Sequence, residues 1–103
     1  MEFDKLVERR LWLADRAAGS QSEICIEIGR PRWTEPEVEA ACPVFIRGLM
    51  IAPLDVYGSD LLNALECGLG FVNSELRNLP ANQQVEWPGG ESYFDWGRRL
   101  FAR

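Results

Sequence analysis

Residues 58–80 read GSDLLNALECGLGFVNSELRNLP, and how this stretch coils decides the fold. At 3.6 residues per turn, Leu61, Leu65, Leu69, Val72, Leu76 and Leu79 fall on one stripe, with Asn63, Glu66, Ser74 and Arg77 opposite. That pattern predicts an amphipathic helix. Ser59 is placed to accept a hydrogen bond from the free first-turn amides, and Asp60 sets a negative charge against the positive end of the dipole. Pro80 ends the helix by forcing its predecessor out of the α region. A one-sided helix needs a second apolar surface to cover it.

The segments before the helix supply that surface. Ile24, Ile26 and Ile28 alternate with Glu23, Cys25, Glu27 and Gly29, the period of a half-buried strand. Residues 1–18 suit either a helix or a strand from about Val7 to Ala14. A lone strand must pair, so the polar run 18–22 reads as a hairpin loop and the first segment as a strand. Pro31 lacks a ladder amide, so the chain is expected to leave the sheet at Arg30–Trp33. Thr34 and Glu37 have capping-box spacing, which predicts a short helical turn through Ala41. A third strand follows with Cys42, Val44 and Ile46 on one face and Phe45 and Arg47 on the other. Leu49–Pro53 is an apolar connection, and Leu54–Tyr57 is a fourth strand. Beyond the helix, 85–87 is a candidate fifth strand ended by Pro88-Gly89-Gly90. The expected fold is therefore α+β: a four-stranded antiparallel meander with one long helix on one face, a two-layer sandwich. All 103 residues form one domain, with 97–103 as a loosely held basic tail.

The chain carries Glu8-Arg9-Arg10-Leu11, Ile26-Glu27-Ile28-Gly29-Arg30-Pro31, Cys42-Pro43 leading to Ile46-Arg47-Gly48-Leu49, and Tyr57-Gly58-Ser59-Asp60 ahead of Leu62 and Ala64-Leu65. In this order the motifs resemble those of a family of short, uncharacterised bacterial proteins. Trp87 followed by Gly89-Gly90-Glu91 is also similar, and the resemblance spans 8–96. It implies a fold, and no activity comes with it.

Composition narrows the function. At 47% hydrophobic and 26% charged, the chain has the make-up of a soluble globular domain. It has no apolar run near the roughly 20 residues of a membrane span and no signal-peptide start, so the cytoplasm is the expected compartment. The net charge of −5 argues against nucleic acid. With no histidine, no Ser-His-Asp or Cys-His apparatus can be assembled, and the commonest zinc ligand is missing. Neither a metal nor a cofactor is expected. Cys25, Cys42 and Cys67 read as reduced, inert thiols, two of them buried. The carboxylates Asp55, Asp60, Glu66, Glu86, Glu91 and Asp95 have no spacing that builds an acid–base pair.

What remains is a surplus of aromatic and apolar side chains in loops: Trp33, Leu49, Met50, Ile51, Trp87, Tyr93, Phe94 and Trp96. Trp, Tyr and Arg dominate the centres of binding interfaces. These residues are the candidate partner-binding set for a non-enzymatic interaction protein, its partner another protein or a second copy. The rival is a small-molecule binder or minimal enzyme with a pocket between sheet and helix. Tyr57, Gly68 and Trp87 would line that pocket, with Asp60 or Glu86 as its polar group.

Overall fold

A computed structural model describes residues 3–94. The order is β1 (Lys5–Asp15), β2 (Ser20–Gly29), β3 (Arg32–Glu35), β4 (Glu39–Arg47), β5 (Leu54–Gly58), α1 (Leu61–Arg77) and β6 (Gln83–Glu86). The strands make one curled antiparallel sheet against which the helix packs, an α+β fold. β1 pairs with β2 along its length, and β6 returns to the far side of β1 at Trp12–Asp15. β4 takes β2 and β3 on one side and β5 on the other, because Val44 faces both Ile28 and Leu54, and Ala41 faces both Arg32 and Tyr57.

Register sorts the side chains, since neighbours on a strand point to opposite faces. Leu11 and Leu13 of β1, the three isoleucines of β2, Cys42, Val44 and Ile46 of β4, and Val85 of β6 share the helix side and form the core. The isoleucine alternation thus becomes the centre of the sheet. β1 and β2 extend beyond their expected limits, joined by a turn whose Gly19 has φ +63°. Asp15 fastens that turn, its carboxylate accepting from the Ala17 and Ala18 amides at 3.0 and 3.1 Å and from Asn82 at 2.9 Å.

Three local expectations are corrected. Thr34 caps no helical turn: residues 32–35 are β3, a tight turn places Glu37 at φ 61°, and β4 is under way at Glu39. The Thr34 hydroxyl instead spans the hairpin, 2.6 Å from a Glu39 carboxylate oxygen. The helix N-cap is Asp60, not Ser59. The Asp60 carboxylate accepts from the Asn63 amide at 2.7 Å, while the Asn63 side chain accepts from the Ser59 amide at 2.9 Å. The buried stripe is also rotated from the leucine stripe: Ala64, Gly68, Val72 and Leu76 face the core, whereas Leu61 and Leu69 are 37% and 46% exposed.

The rotation has a steric cause. α1 lies across β4 and β5, and a Cβ built at Gly68 would stand 3.1 Å from Cys42 Sγ and 3.2 Å from Val44 Cγ1. So close an approach admits only small residues on the contact line, and the leucines straddle it. Helix contact reaches β2 only marginally, so the outer arm of the β1–β2 hairpin has no helix above it.

Candidate functional site

The bare arm carries the longest exposed run within any described strand. Lys5–Arg10 are six successive exposed residues inside a strand, with Leu6 at 39% and Val7 at 54%. Among the described residues, nothing pairs with the outer edge of β1 before Trp12, where β6 begins. A bulge between Lys5 and Val7 interrupts the ladder at the other end, leaving Val7–Leu11 as a regular, unpaired stretch. The Arg16 amide donates to the Asn82 carbonyl at 2.8 Å, so even-numbered residues of β1 turn their main-chain groups away from β2. Glu8 and Arg10 therefore present N–H and C=O groups at the open edge.

Beside this edge runs a groove of about 540 Å³ between the hairpin arm and the helix. Val7, Ile26, Ile28, Leu69 and Val72 give it apolar walls; Glu8, Arg9, Asn73 and Tyr93 supply the polar groups. Arg9 is the one charged side chain on the helix-facing side of β1 between the bulge and Asp15. It is held from the C-terminal side: its guanidinium donates to the Tyr93 hydroxyl at 2.8 Å and lies 5.1 Å from the Trp87 ring centre. Trp87 and Tyr93 are 5.1 Å apart, Phe94 meets Tyr93 edge-on, and Arg77 of the helix lies 4.1 Å over Phe94. A cation–aromatic chain thus runs from β1 to the end of α1.

The opposite face of the arm is a charge lattice. Lys5 bonds Glu8 at 2.6 Å and lies 3.9 Å from Glu27, while Arg10 lies 3.4 Å from Glu8 and 3.7 Å from Glu23. Arg47 pairs with Glu27, the one buried charged residue among those described, and stacks 4.8 Å over Phe45. The hydrogen bond from Lys5, helped by Arg10, holds the Glu8 carboxyl below its ordinary range, so Glu8 stays anionic at neutral pH. Burial, with Glu8 and Glu27 adding to it, pushes the Cys25 thiol up, which disfavours the nucleophilic thiolate. Cys42 is buried and likewise raised by desolvation, whereas Cys25 and Cys67 are half-buried, so one cysteine rather than two is fully enclosed. Among the described residues no group of His, Cys, Asp and Glu could hold a metal ion, and no helix is long and apolar enough to cross a membrane.

The candidates named from sequence are dispersed. Trp87, Tyr93 and Phe94 come together, half-buried against the core. Leu49 and Met50 also pack on the core, while Ile51 is wholly exposed and Trp33 sits on β3 opposite Ala40. Trp96 and the 97–103 tail lie outside the described residues. Tyr57, Asp60, Gly68 and Glu86 do not converge. Tyr57 is on the face away from the helix, Asp60 caps it, Gly68 is packed against β4, and Glu86 pairs with Trp12. Val7, Arg9, Ile26, Ile28 and Leu69 were not foreseen as site residues. The available signal was Arg9 itself, a cation between Val7 and Leu11 on the apolar side of a strand.

Scans against protein-family models, curated proteins and solved structures find no match to this chain.

Proposed function

We propose that this chain is a protein-interaction module without catalytic activity, working through the open edge of β1 and the groove beside it. The observation that carries the reading is the exposed run Lys5–Arg10, a strand edge left unpaired by β6 and bordered by an apolar groove. An extended segment laid along such an edge gains main-chain hydrogen bonds, and its alternate side chains gain the groove. We read the sheet and helix as a two-layer sandwich whose helical layer is too narrow to cover the β1–β2 arm. Location in the cytoplasm, no role for nucleic acid or membrane, and kinship with the uncharacterised bacterial family belong to the same proposal. Trp87, Tyr93 and Phe94 act in it as the support that aims Arg9, more than as the contact surface.

The test is site-specific photo-crosslinking in the cells that make the protein. A photoreactive residue at Val7 or Leu69 is expected to give a discrete adduct, and one at Glu75, on the exposed side of the helix, is not. No adduct from either groove position, or an equal one from Glu75, overturns the reading.

The groove volume favours one alternative, a small-molecule binder, since ligand sites span about 300–1,000 Å³. That reading also requires a buried carboxylate, and Glu8, the acidic residue at the rim of this groove, is exposed and turns its carboxylate to the opposite face.

A further inference from the structure

Resting on that reading of the β1 edge, we propose that its occupant is a second copy of this chain, with the two β1 strands antiparallel about a two-fold axis at Arg9. The regular unpaired stretch sets the register. It runs from Val7, just past the bulge, to Leu11, just before β6 takes the edge at Trp12, and Arg9 is its middle residue. A two-fold pairing that uses the whole window must be centred there.

Charge pairing on the outer face favours this register over its neighbours, with Arg9 opposed to its own copy as the one unfavourable pair. Centred on Arg9, Glu8 faces Arg10 of the partner subunit and Arg10 faces Glu8 of the partner subunit. Opposite charges meet twice on the outer face. On the groove side, Val7 falls opposite Leu11 of the partner subunit, also twice; Leu11 is buried in the core, so this position sets no charge against the apolar side and adds little contact. A centre at Glu8 sets Glu8 against itself and Val7 against Arg9 of the partner subunit. A centre at Arg10 sets like charges together and drives Glu8 toward Trp12 of the partner subunit, whose edge β6 already holds. A centre at Val7 opposes Arg9 to Lys5 of the partner subunit.

Main-chain geometry selects the same arrangement. Glu8 and Arg10 are the residues whose amide and carbonyl groups face outward. In this register they form the two hydrogen-bonded pairs, each exchanging both bonds, while Arg9 occupies a non-bonded pair at the axis. Arg9 then faces its own copy, a repulsive element. Each Arg9 guanidinium is already engaged by the Tyr93 hydroxyl and the Trp87 ring of its own chain, which limits that repulsion and gives the aromatic support a purpose.

Sedimentation equilibrium on the full chain, with native mass spectrometry, tests this directly. Wild type is expected to reach twice its 11.7 kDa mass in a concentration-dependent manner, and salt is expected to weaken the pairing. E8R and R10E each set like charges together and are expected to dissociate at least about tenfold more readily. Both positions are exposed, so each variant is expected to fold, which a thermal melt checks. Mixed in equal amounts, E8R and R10E are complementary again, so mixed dimers are expected where neither variant dimerises alone, and the E8R/R10E double variant should pair with itself. A wild type that stays monomeric at millimolar concentration overturns the proposal, as do single variants that dimerise like wild type or a mixture without mixed dimers. Crosslinked adducts at Val7 of a mass other than two chains would then leave the interaction reading standing with a different partner. Absence of adducts would remove both.

Discussion

The distance between α1 and β4 can be measured chemically by two alanines placed two residues apart. Gly68 and Gly70 are both in the helix, so each carries the same intrinsic penalty relative to alanine, about 1 kcal/mol. At Gly70 a new methyl meets nothing within 4 Å, and nothing in the structure explains a glycine there. G70A should therefore stabilise the protein by about 1 kcal/mol, raising Tm by roughly 4–8 °C for a chain of this size. At Gly68 the new methyl would stand 3.1 Å from Cys42 Sγ, 3.2 Å from Val44 Cγ1 and 3.4 Å from Cys42 Cβ. Cys42 and Val44 are both wholly buried, so the helix must lift by a few tenths of an ångström or β4 must yield. Such overpacking costs about 1–3 kcal/mol, against which the same propensity gain is set. G68A should range from neutral to about 2 kcal/mol less stable, leaving a gap of roughly 1–3 kcal/mol between the variants. Urea denaturation with tryptophan fluorescence and circular dichroism reads both. If G68A stabilises as much as G70A, the helix does not approach β4 so closely, and the account of the rotated stripe is wrong.

D60A should cost about 1 kcal/mol through loss of the N-cap, and S59A much less, because the Ser59 amide rather than its hydroxyl makes the shorter bond to Asn63. Equal losses in chemical denaturation would return the cap to Ser59. Asp15 is held below its ordinary carboxyl range, first by Asn82 and then by the Ala18 amide. Its folded pKa lies below the unfolded value, so its contribution is complete above about pH 4 and fades as pH falls through the folded value. The stability difference between wild type and D15N should accordingly shrink on acidification below about pH 4, and a difference that grows would refute the assignment. Cys42 should react with a thiol reagent only at the rate of global unfolding, since it is buried and burial raises its pKa; fast labelling at pH 7 would contradict that enclosure.

The parts of the fold that were legible were those where side-chain period and burial coincide. Ile24, Ile26 and Ile28 alternate in the sequence and alternate in the sheet. The helix was legible as a helix, but its facing was not. Leucine marks an apolar stripe by size, whereas a helix pressed against a strand selects its contact line by smallness, here Ala64 and Gly68. The start of β4 was hidden for a related reason. Thr34 and Glu37 have the spacing of a helix cap, and only pairing with β3 shows that Thr34 serves a hairpin, since ladder partners are not written locally. The groove depended on still longer-range facts: where β6 stops along β1 and how far α1 reaches across the sheet. Neither can be read from Val7 or Leu69. The loop aromatics stand out in the sequence, but three of them, Trp87, Tyr93 and Phe94, turn inward to meet Arg9 and Arg77.

The return of β6 to β1 has a consequence for the order in which the chain can assemble. Leu13 finds its second neighbour in Val85, across a loop of about 70 residues, whereas its first neighbour, Ser22, is available within moments of synthesis. On the ribosome, the β1–β2 hairpin must wait with one flank bare until β6, about 70 residues later, has emerged.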